Sequence, residues 1–297
     1  MDGRAVSELL MPEVRRNAAE LKDRYGYVPT LAAILVGSDP ASRQYVRNKH
    51  RLARELGCGS EVIEVKAEQA STESLLATIE RLNNDRATTG ILLQLPVPAN
   101  VNQFALFDAI APEKDVDAVG AGAVIGFYRG QWGRFIPCTP RGVLTLLDYY
   151  KVPVSGKRAV VIGRSDIAGK PTALILGGRM CNATVTWCHR HTQDLASICR
   201  EADVLVSCVG ADVGRPFLIT AEMIKPGACV VDVGFRRVGP GRFAGDVDFD
   251  AVSRVAGWIT PNPGGTGPMT VIALMQNLLD AARYQVGFDR ISYSIQY

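Results

Sequence analysis

The sequence predicts an α/β protein carrying two successive parallel sheets. Three observations lead there. Apolar runs without polar alternation recur along the chain with helical segments between them, the pattern of parallel strands covered on both faces. The chain has 297 residues and 47% hydrophobic content, which suits two domains better than one core. A glycine-punctuated strand–turn–helix unit, Val160–Pro171, opens the second series.

Taken in order, Val6, Leu9, Leu10, Val14, Ala18 and Leu21 recur at helical spacing over residues 4–25, and Gly26 stops that helix. Leu31–Val36 is an apolar strand ending at Gly37. Ser42–Leu56 reads as a helix closed by Gly57, Glu61–Val65 as a short strand, Thr72–Asn83 as a helix and Gly90–Leu95 as a buried strand. Cys138-Thr139-Pro140 starts a helix running to about Tyr150, with Thr139 as its N-cap and Pro140 in the first turn. The second series has strands at Ala159–Ile162, Ala183–Trp187, Val204–Val209 and Cys229–Val233. The turn-rich run Thr260–Pro268 leads into a long helix, Met269–Tyr284, and the tail Val286–Tyr297 carries no assignable element.

Composition excludes several classes. A net charge of +3 supplies no field for nucleic acid. No stretch is apolar enough to span a bilayer, and Met1-Asp2-Gly3-Arg4 lacks the pattern of a signal peptide. Seven scattered cysteines without a C-x-x-C pair fit buried thiols in a reducing cytoplasm. Cys188-His189-Arg190-His191 is not read as a metal site, because adjacent Cys and His rarely aim at one ion and no second ligand cluster lies nearby.

Gly163 to Gly169 forms a turn between the strand Ala159–Ile162 and a helix with Pro171 in its first turn. Outward-facing amides and the helix dipole make such a turn an anion site. Sequences that hold NAD usually carry a carboxylate after the second strand, for the ribose hydroxyls. Here that strand ends in Cys188-His189-Arg190-His191-Thr192, and Arg164 sits in the turn itself. Cationic groups at both places suit a 2′-phosphate and favour NADP. The alternative is that Arg190 and His191 are solvated surface.

In the first half, Tyr45 and Lys49 lie four apart and project from one helix face, which Leu52 and Leu56 continue. Burial there would depress the lysine pKa and make it a usable proton carrier; a lysine snorkelling to solvent is the alternative. Gln94 ends an apolar strand, where open α/β sheets place their ligands. Asp115 and Asp117, two apart in Lys114-Asp115-Val116-Asp117, point to opposite sides of an extended chain. An amide cap and an ordinary acidic loop are the alternatives for these segments. The Tyr-x-x-x-Lys pair does not indicate a short-chain dehydrogenase, because it precedes the glycine turn by more than a hundred residues and lies in a different series.

With these residues assembled, the chain resembles the bifunctional methylenetetrahydrofolate dehydrogenase/methenyltetrahydrofolate cyclohydrolase family. The matching stretches are Leu35-Val36-Gly37-Ser38-Asp39-Pro40-Ala41-Ser42 with Tyr45 and Lys49, Gln94-Leu95-Pro96-Val97-Pro98, Lys114-Asp115-Val116-Asp117 and Pro137-Cys138-Thr139-Pro140. Gly163-Arg164-Ser165 to Pro171, Gly245-Asp246-Val247-Asp248 and Pro263-Gly264-Gly265-Thr266-Gly267-Pro268-Met269-Thr270 follow in the family's order. The resemblance implies a folate-binding catalytic domain, residues 1–137 with 269–297, and a Rossmann-like NADP-binding domain, residues 138–268, flanking a cleft. It implies oxidation of 5,10-methylenetetrahydrofolate with NADP⁺ and hydrolysis of the methenyl product to 10-formyltetrahydrofolate.

Lys49 then matches the family's proton-transfer lysine, Gln94 the glutamine that positions it, Tyr45 the ring that stacks on folate and Asp117 the carboxylate that holds the pterin. Gly163, Arg164, Ser165, Gly169 and Arg190 fall to the cofactor, and Pro263, Gly264 and Gly265 to the substrate. Family enzymes are usually homodimers joined through the nucleotide domain. Ala118 stands where the family usually has Gly, Arg190 where it usually has Ser, and Asn262 and Thr266 where Val is common.

Overall fold

The computed structural model describes residues 1–129, 135–239 and 242–287. In chain order the elements are α1 (Gly3–Tyr25), β1 (Thr30–Val36), α2 (Pro40–Glu55), β2 (Gly59–Val65), α3 (Thr72–Asn84), β3 (Gly90–Gln94), α4 (Gln103–Ala109), α5 (Ala121–Tyr128) and α6 (Cys138–Tyr149). They continue with β4 (Arg158–Ile162), α7 (Gly169–Gly177), β5 (Thr184–Cys188), α8 (Leu195–Arg200), β6 (Val204–Ser207) and β7 (Cys229–Asp232). The hairpin β8 (Arg236–Gly239) and β9 (Arg242–Ala244), α9 (Phe249–Val252), β10 (Trp258–Ile259) and α10 (Thr266–Gln285) complete the described residues.

The chain divides into two compact units. Among the described residues, one holds Leu10–Cys138 and residues 274–287; the other holds Met1–Leu9 and Thr139–Ala273. The expected division gave residues 1–9 and 269–273 to the first of these. Backbone bonds account for the difference at the N-terminus: Arg4 N–H donates to Gly264 O (3.0 Å), and the terminal amine donates to Ile259 O.

In the first unit the strands form a parallel sheet in the order β2-β1-β3. Its central strand β1 is apolar and buried from Leu31 to Val36, and Ile34, Ile91, Leu75, Ile79, Leu82 and Leu106 close one core. Gln94 pairs with Leu35 at the carboxyl end. Asp39 caps α2 by accepting from Ser42 N–H at 2.8 Å, and Pro40 takes the first helical position, where its missing N–H costs nothing.

The second unit is a five-stranded parallel sheet, β10-β7-β6-β4-β5. Val160, Ile162, Leu205, Val230, Ile219 and Val252 pack its core. Full coverage holds for β4 from Ala159 on, for β6 and for β7, but not for the edges: β2 and β5 leave most residues exposed or part-exposed. Thr139 lies inside α6, because the helix begins at Cys138. The turn-rich run is shorter than expected. α10 starts at Thr266 and takes Gly267 and Pro268 into its first turn, where proline needs no hydrogen-bond partner. Of the tail, residues 288–297 lie outside the described residues.

Candidate active site and nucleotide cradle

α2 is amphipathic, and its inward stripe is Ser42, Val46, Lys49, Leu52 and Ala53. Lys49 is therefore a core-facing residue, 9% exposed, and does not snorkel. Its Nζ donates to Gln94 Oε1 at 3.0 Å, while Gln94 Nε2 donates to Leu95 O at 2.8 Å and so fixes the amide. Burial pushes the Lys49 pKa down; the nearby Asp117 carboxylate and the Cys138 thiol oppose that shift without cancelling it. Tyr45, one turn earlier on α2, is part-exposed, and burial raises its hydroxyl pKa.

The two carboxylates separate across a turn, not along the extended chain expected: Ala118 N–H donates to Asp115 O (3.0 Å) and Val116 N–H to Lys114 O (2.9 Å). Asp115 is buried, bridges to Ile91 beside β3 and accepts Gly120 N–H at 2.9 Å and Val119 N–H at 3.3 Å. Burial pushes its carboxyl up to about 6 against those bonds. Asp117 is part-exposed. Ala118 follows with φ +55°, fully buried. That left-handed conformation costs an alanine roughly 1 kcal/mol more than a glycine.

Lys114 is a clasp, not a ligand residue. Its Nζ donates to Leu82 O (2.9 Å) and Asp85 O (2.7 Å), closing the C-terminus of α3 where cations are favoured. Two contributors went unread in the sequence. Asn277 on α10 donates through Nδ2 to Val116 O (2.7 Å) and Ile136 O (2.8 Å). Cys138 Sγ donates to Val116 O at 3.4 Å. Both anchor the residue between Asp115 and Asp117. A lone asparagine on the apolar stripe of α10 was the available signal.

In the second unit, Gly163 has φ +109°, and a Cβ there would lie 2.5 Å from Cys208 O. A Cβ on Gly169 would lie 2.3 Å from Gly163 O. Only glycine lets the end of β4 and the start of α7 approach this closely, and the turn between them then presents backbone to a ligand. Ser165 Oγ accepts Gly169 N–H at 3.2 Å, tying the turn to the helix. β4 pairs with β5 up to Ile162↔Cys188, and Gly163 N–H donates to Cys188 O. Arg164 and Arg190, both exposed, thus follow two paired strand ends. Arg190 Nε donates to His191 Nε2 at 3.0 Å, which orders this basic run. The cradle fits a phosphorylated dinucleotide.

Lys49, Gln94 and Asp117 are brought together in the first unit with Tyr45 on the same helix. Gly163, Arg164, Ser165, Gly169 and Arg190 gather in the second. Pro263, Gly264 and Gly265 also lie in the second unit, in the turn entering α10, where Gly264 O accepts Arg4 N–H.

Two family models match the chain: the catalytic domain of tetrahydrofolate dehydrogenase/cyclohydrolase over residues 1–117, and its NAD(P)-binding domain over residues 137–286. A bifunctional protein FolD from Moorella thermoacetica is 47% identical over 95% of this chain and 98% of its own. Among solved structures, the FolD dehydrogenase/cyclohydrolase of Campylobacter jejuni is 39% identical, with TM-score 0.89 over 95% of this chain and 98% of its own. The Trypanosoma brucei dehydrogenase-cyclohydrolase, solved with NADP cofactor and inhibitor, is 37% identical, with TM-score 0.91 over 97% and 98%.

Proposed function

The chain belongs to the tetrahydrofolate dehydrogenase/cyclohydrolase family, and from that premise we propose the roles of its residues. It is a bifunctional enzyme of one-carbon metabolism. It oxidises 5,10-methylenetetrahydrofolate to the methenyl cation with NADP⁺ and hydrolyses the cation to 10-formyltetrahydrofolate.

The observation that carries the assignment of roles is the buried Lys49 held 3.0 Å from Gln94. Burial lowers the pKa of this amine, which favours the neutral form with its free lone pair, and a cationic substrate beside it favours that form further. Donation to Gln94 Oε1 spends one N–H and aims the lone pair elsewhere. Lys49 takes a proton from the water that attacks the methenyl carbon. The second proton of that water passes to folate N5 as the carbon–N5 bond breaks, leaving the formyl group on N10 and one proton released overall. Gln94 positions the lysine. Asp117, the outward member of its pair, holds the donor groups of the pterin, and Tyr45 supplies a ring face against it. Pro263, Gly264 and Gly265 shape the substrate's surroundings from the turn before α10.

Gly163, Ser165 and Gly169 hold the pyrophosphate of NADP⁺, and Arg164 and Arg190 its 2′-phosphate. When bound, NADP⁺ supplies the acceptor for the hydride. The chain's part in that step is orientation.

A homodimer is supported by the edge strand β5, where Trp187 is exposed, and by Leu174, exposed on α7. Seven free, buried cysteines support a cytoplasmic setting. Among the described residues no helix is long and apolar enough to cross a membrane. Incubation with methylenetetrahydrofolate and either NADP⁺ or NAD⁺, with products resolved by chromatography, tests the assignment. We expect 10-formyltetrahydrofolate, formed faster with NADP⁺; equal use of NAD⁺ would remove the roles given to Arg164 and Arg190.

A further inference from the structure

Outside these residues the densest polar cluster is a pair of buried carboxylates, Asp232 and Asp246, 2% and 1% exposed. Asp246 accepts Ser207 Oγ–H (2.7 Å), Val209 N–H (2.8 Å) and Gly210 N–H (2.9 Å). Asp232 accepts Gly234 N–H (2.9 Å), Asp246 N–H (3.1 Å) and Val247 N–H (3.1 Å). Each carboxylate thus satisfies amides just beyond a strand end, where the ladder no longer does. A Cβ on Gly245 would lie 1.8 Å from Asp232 Oδ2, so the close approach requires glycine there. Gly210 packs on the Phe235 backbone, and a Cβ on it would sit 3.0 Å from Phe235 N. The segments after β6 and β7 are therefore one assembly, and the carboxylates are its fasteners.

The strand order says what that assembly is for. In β10-β7-β6-β4-β5 the phosphate turn follows β4, and the basic run follows β5 on one side of it. A dinucleotide crossing at β4 with its 2′-phosphate half over β5 must lay its other half over β6 and β7. Those are the ends that Asp246 and Asp232 fasten. Two buried carboxylates facing one another are costly to retain unless the fold gains from the bonds they accept. Burial and the Asp246 charge push Asp232 up to about 6.

We propose that Asp246, backed by Asp232, is a positioning residue for the nicotinamide half of the cofactor, holding the Cys208–Gly210 and Val233–Phe235 segments in binding geometry. The proposal rests on the NADP reading above and goes beyond it. Its consequence is directional: loosening the clamp weakens the nicotinamide half and leaves the adenosine half alone.

Calorimetric titration of wild type and Asp246→Asn with NADP⁺ and with adenosine 2′,5′-bisphosphate tests this. An amide at 246 turns an N–H toward donors that now meet a carboxylate. We expect NADP⁺ to bind the variant at least ten-fold more weakly, with less than two-fold change for the bisphosphate. Equal weakening of both, or of neither, overturns the proposal. If Asp246→Asn does not fold, Ser207→Ala removes one of the three donors and is read by the same ratio, expected at three-fold or more; a ratio of one overturns the proposal. Wild type binding neither compound would instead overturn the NADP reading itself.

Discussion

Replacing Lys49 by Met should separate chemistry from folding. The side chain lies on the buried stripe of α2, and methionine, unbranched and one atom shorter, continues the apolar face. A positioned general acid or base typically contributes 10²- to 10⁴-fold, so methenyltetrahydrofolate hydrolysis should fall by about that factor. Stability should move the other way. Folding depresses the Lys49 pKa below its usual 10.5. Between the folded value and 10.5 the unfolded chain holds a proton that the folded chain does not, so stability rises with pH across that window. Below the folded value the full cost of the buried ammonium remains, at about 1.4 kcal/mol per unit of depression.

Methionine deletes that cost. It forfeits a hydrogen bond worth about 1 kcal/mol, and water can replace it at the part-exposed Gln94. The variant should therefore melt at or above the wild-type temperature near neutral pH, and its advantage should shrink as pH climbs toward 10. Hydrolysis followed by loss of methenyl absorbance, with melting curves at several pH values, measures both. Wild-type hydrolysis by the variant, or a melting point several degrees below wild type at neutral pH, would refute the reasoning.

Two further substitutions probe other parts of the account. Ala118→Gly relieves a left-handed alanine at φ +55°; after the added entropy of the unfolded chain, a net gain of about 0.5 kcal/mol should raise the melting temperature by about a degree, and a fall would show that the Ala118 methyl packs better than its backbone strains. Arg190→Ser removes one charge-assisted contact to a 2′-phosphate, which should raise KM for NADP⁺ roughly ten- to hundred-fold and leave KM for NAD⁺ in place; parallel changes for both cofactors would mean that Arg190 does not face that phosphate.

The parts legible in the sequence are those built from long runs or local spacing. The apolar strands β1, β3, β4, β6 and β7 were visible because burial on both faces forbids polar alternation. Tyr45 and Lys49 could be put on one face from helical period alone, whereas Asp115 and Asp117 divide into a buried and a part-exposed member because the chain turns between them, which no pleat could foretell. Short elements such as α4, α8 and the β8–β9 hairpin were not legible, since three to seven residues carry no resolvable period. Contacts across long separations were also hidden. Whether Lys49 was buried or snorkelling depended on Gln94, 45 positions away. The clamp of Ser207 by Asp246 spans 39 positions, and nothing local to either residue announces it. Thr139 looked like a cap because its type suits one, yet the helix had already begun at Cys138.

The central claim is that one chain both oxidises and hydrolyses the folate-borne carbon. Wild-type enzyme supplied with methylenetetrahydrofolate and NADP⁺ should show methenyltetrahydrofolate that decays to 10-formyltetrahydrofolate at a rate proportional to enzyme concentration and well above that in buffer. Methenyl product that accumulates and then decays only at the buffer rate would contradict it.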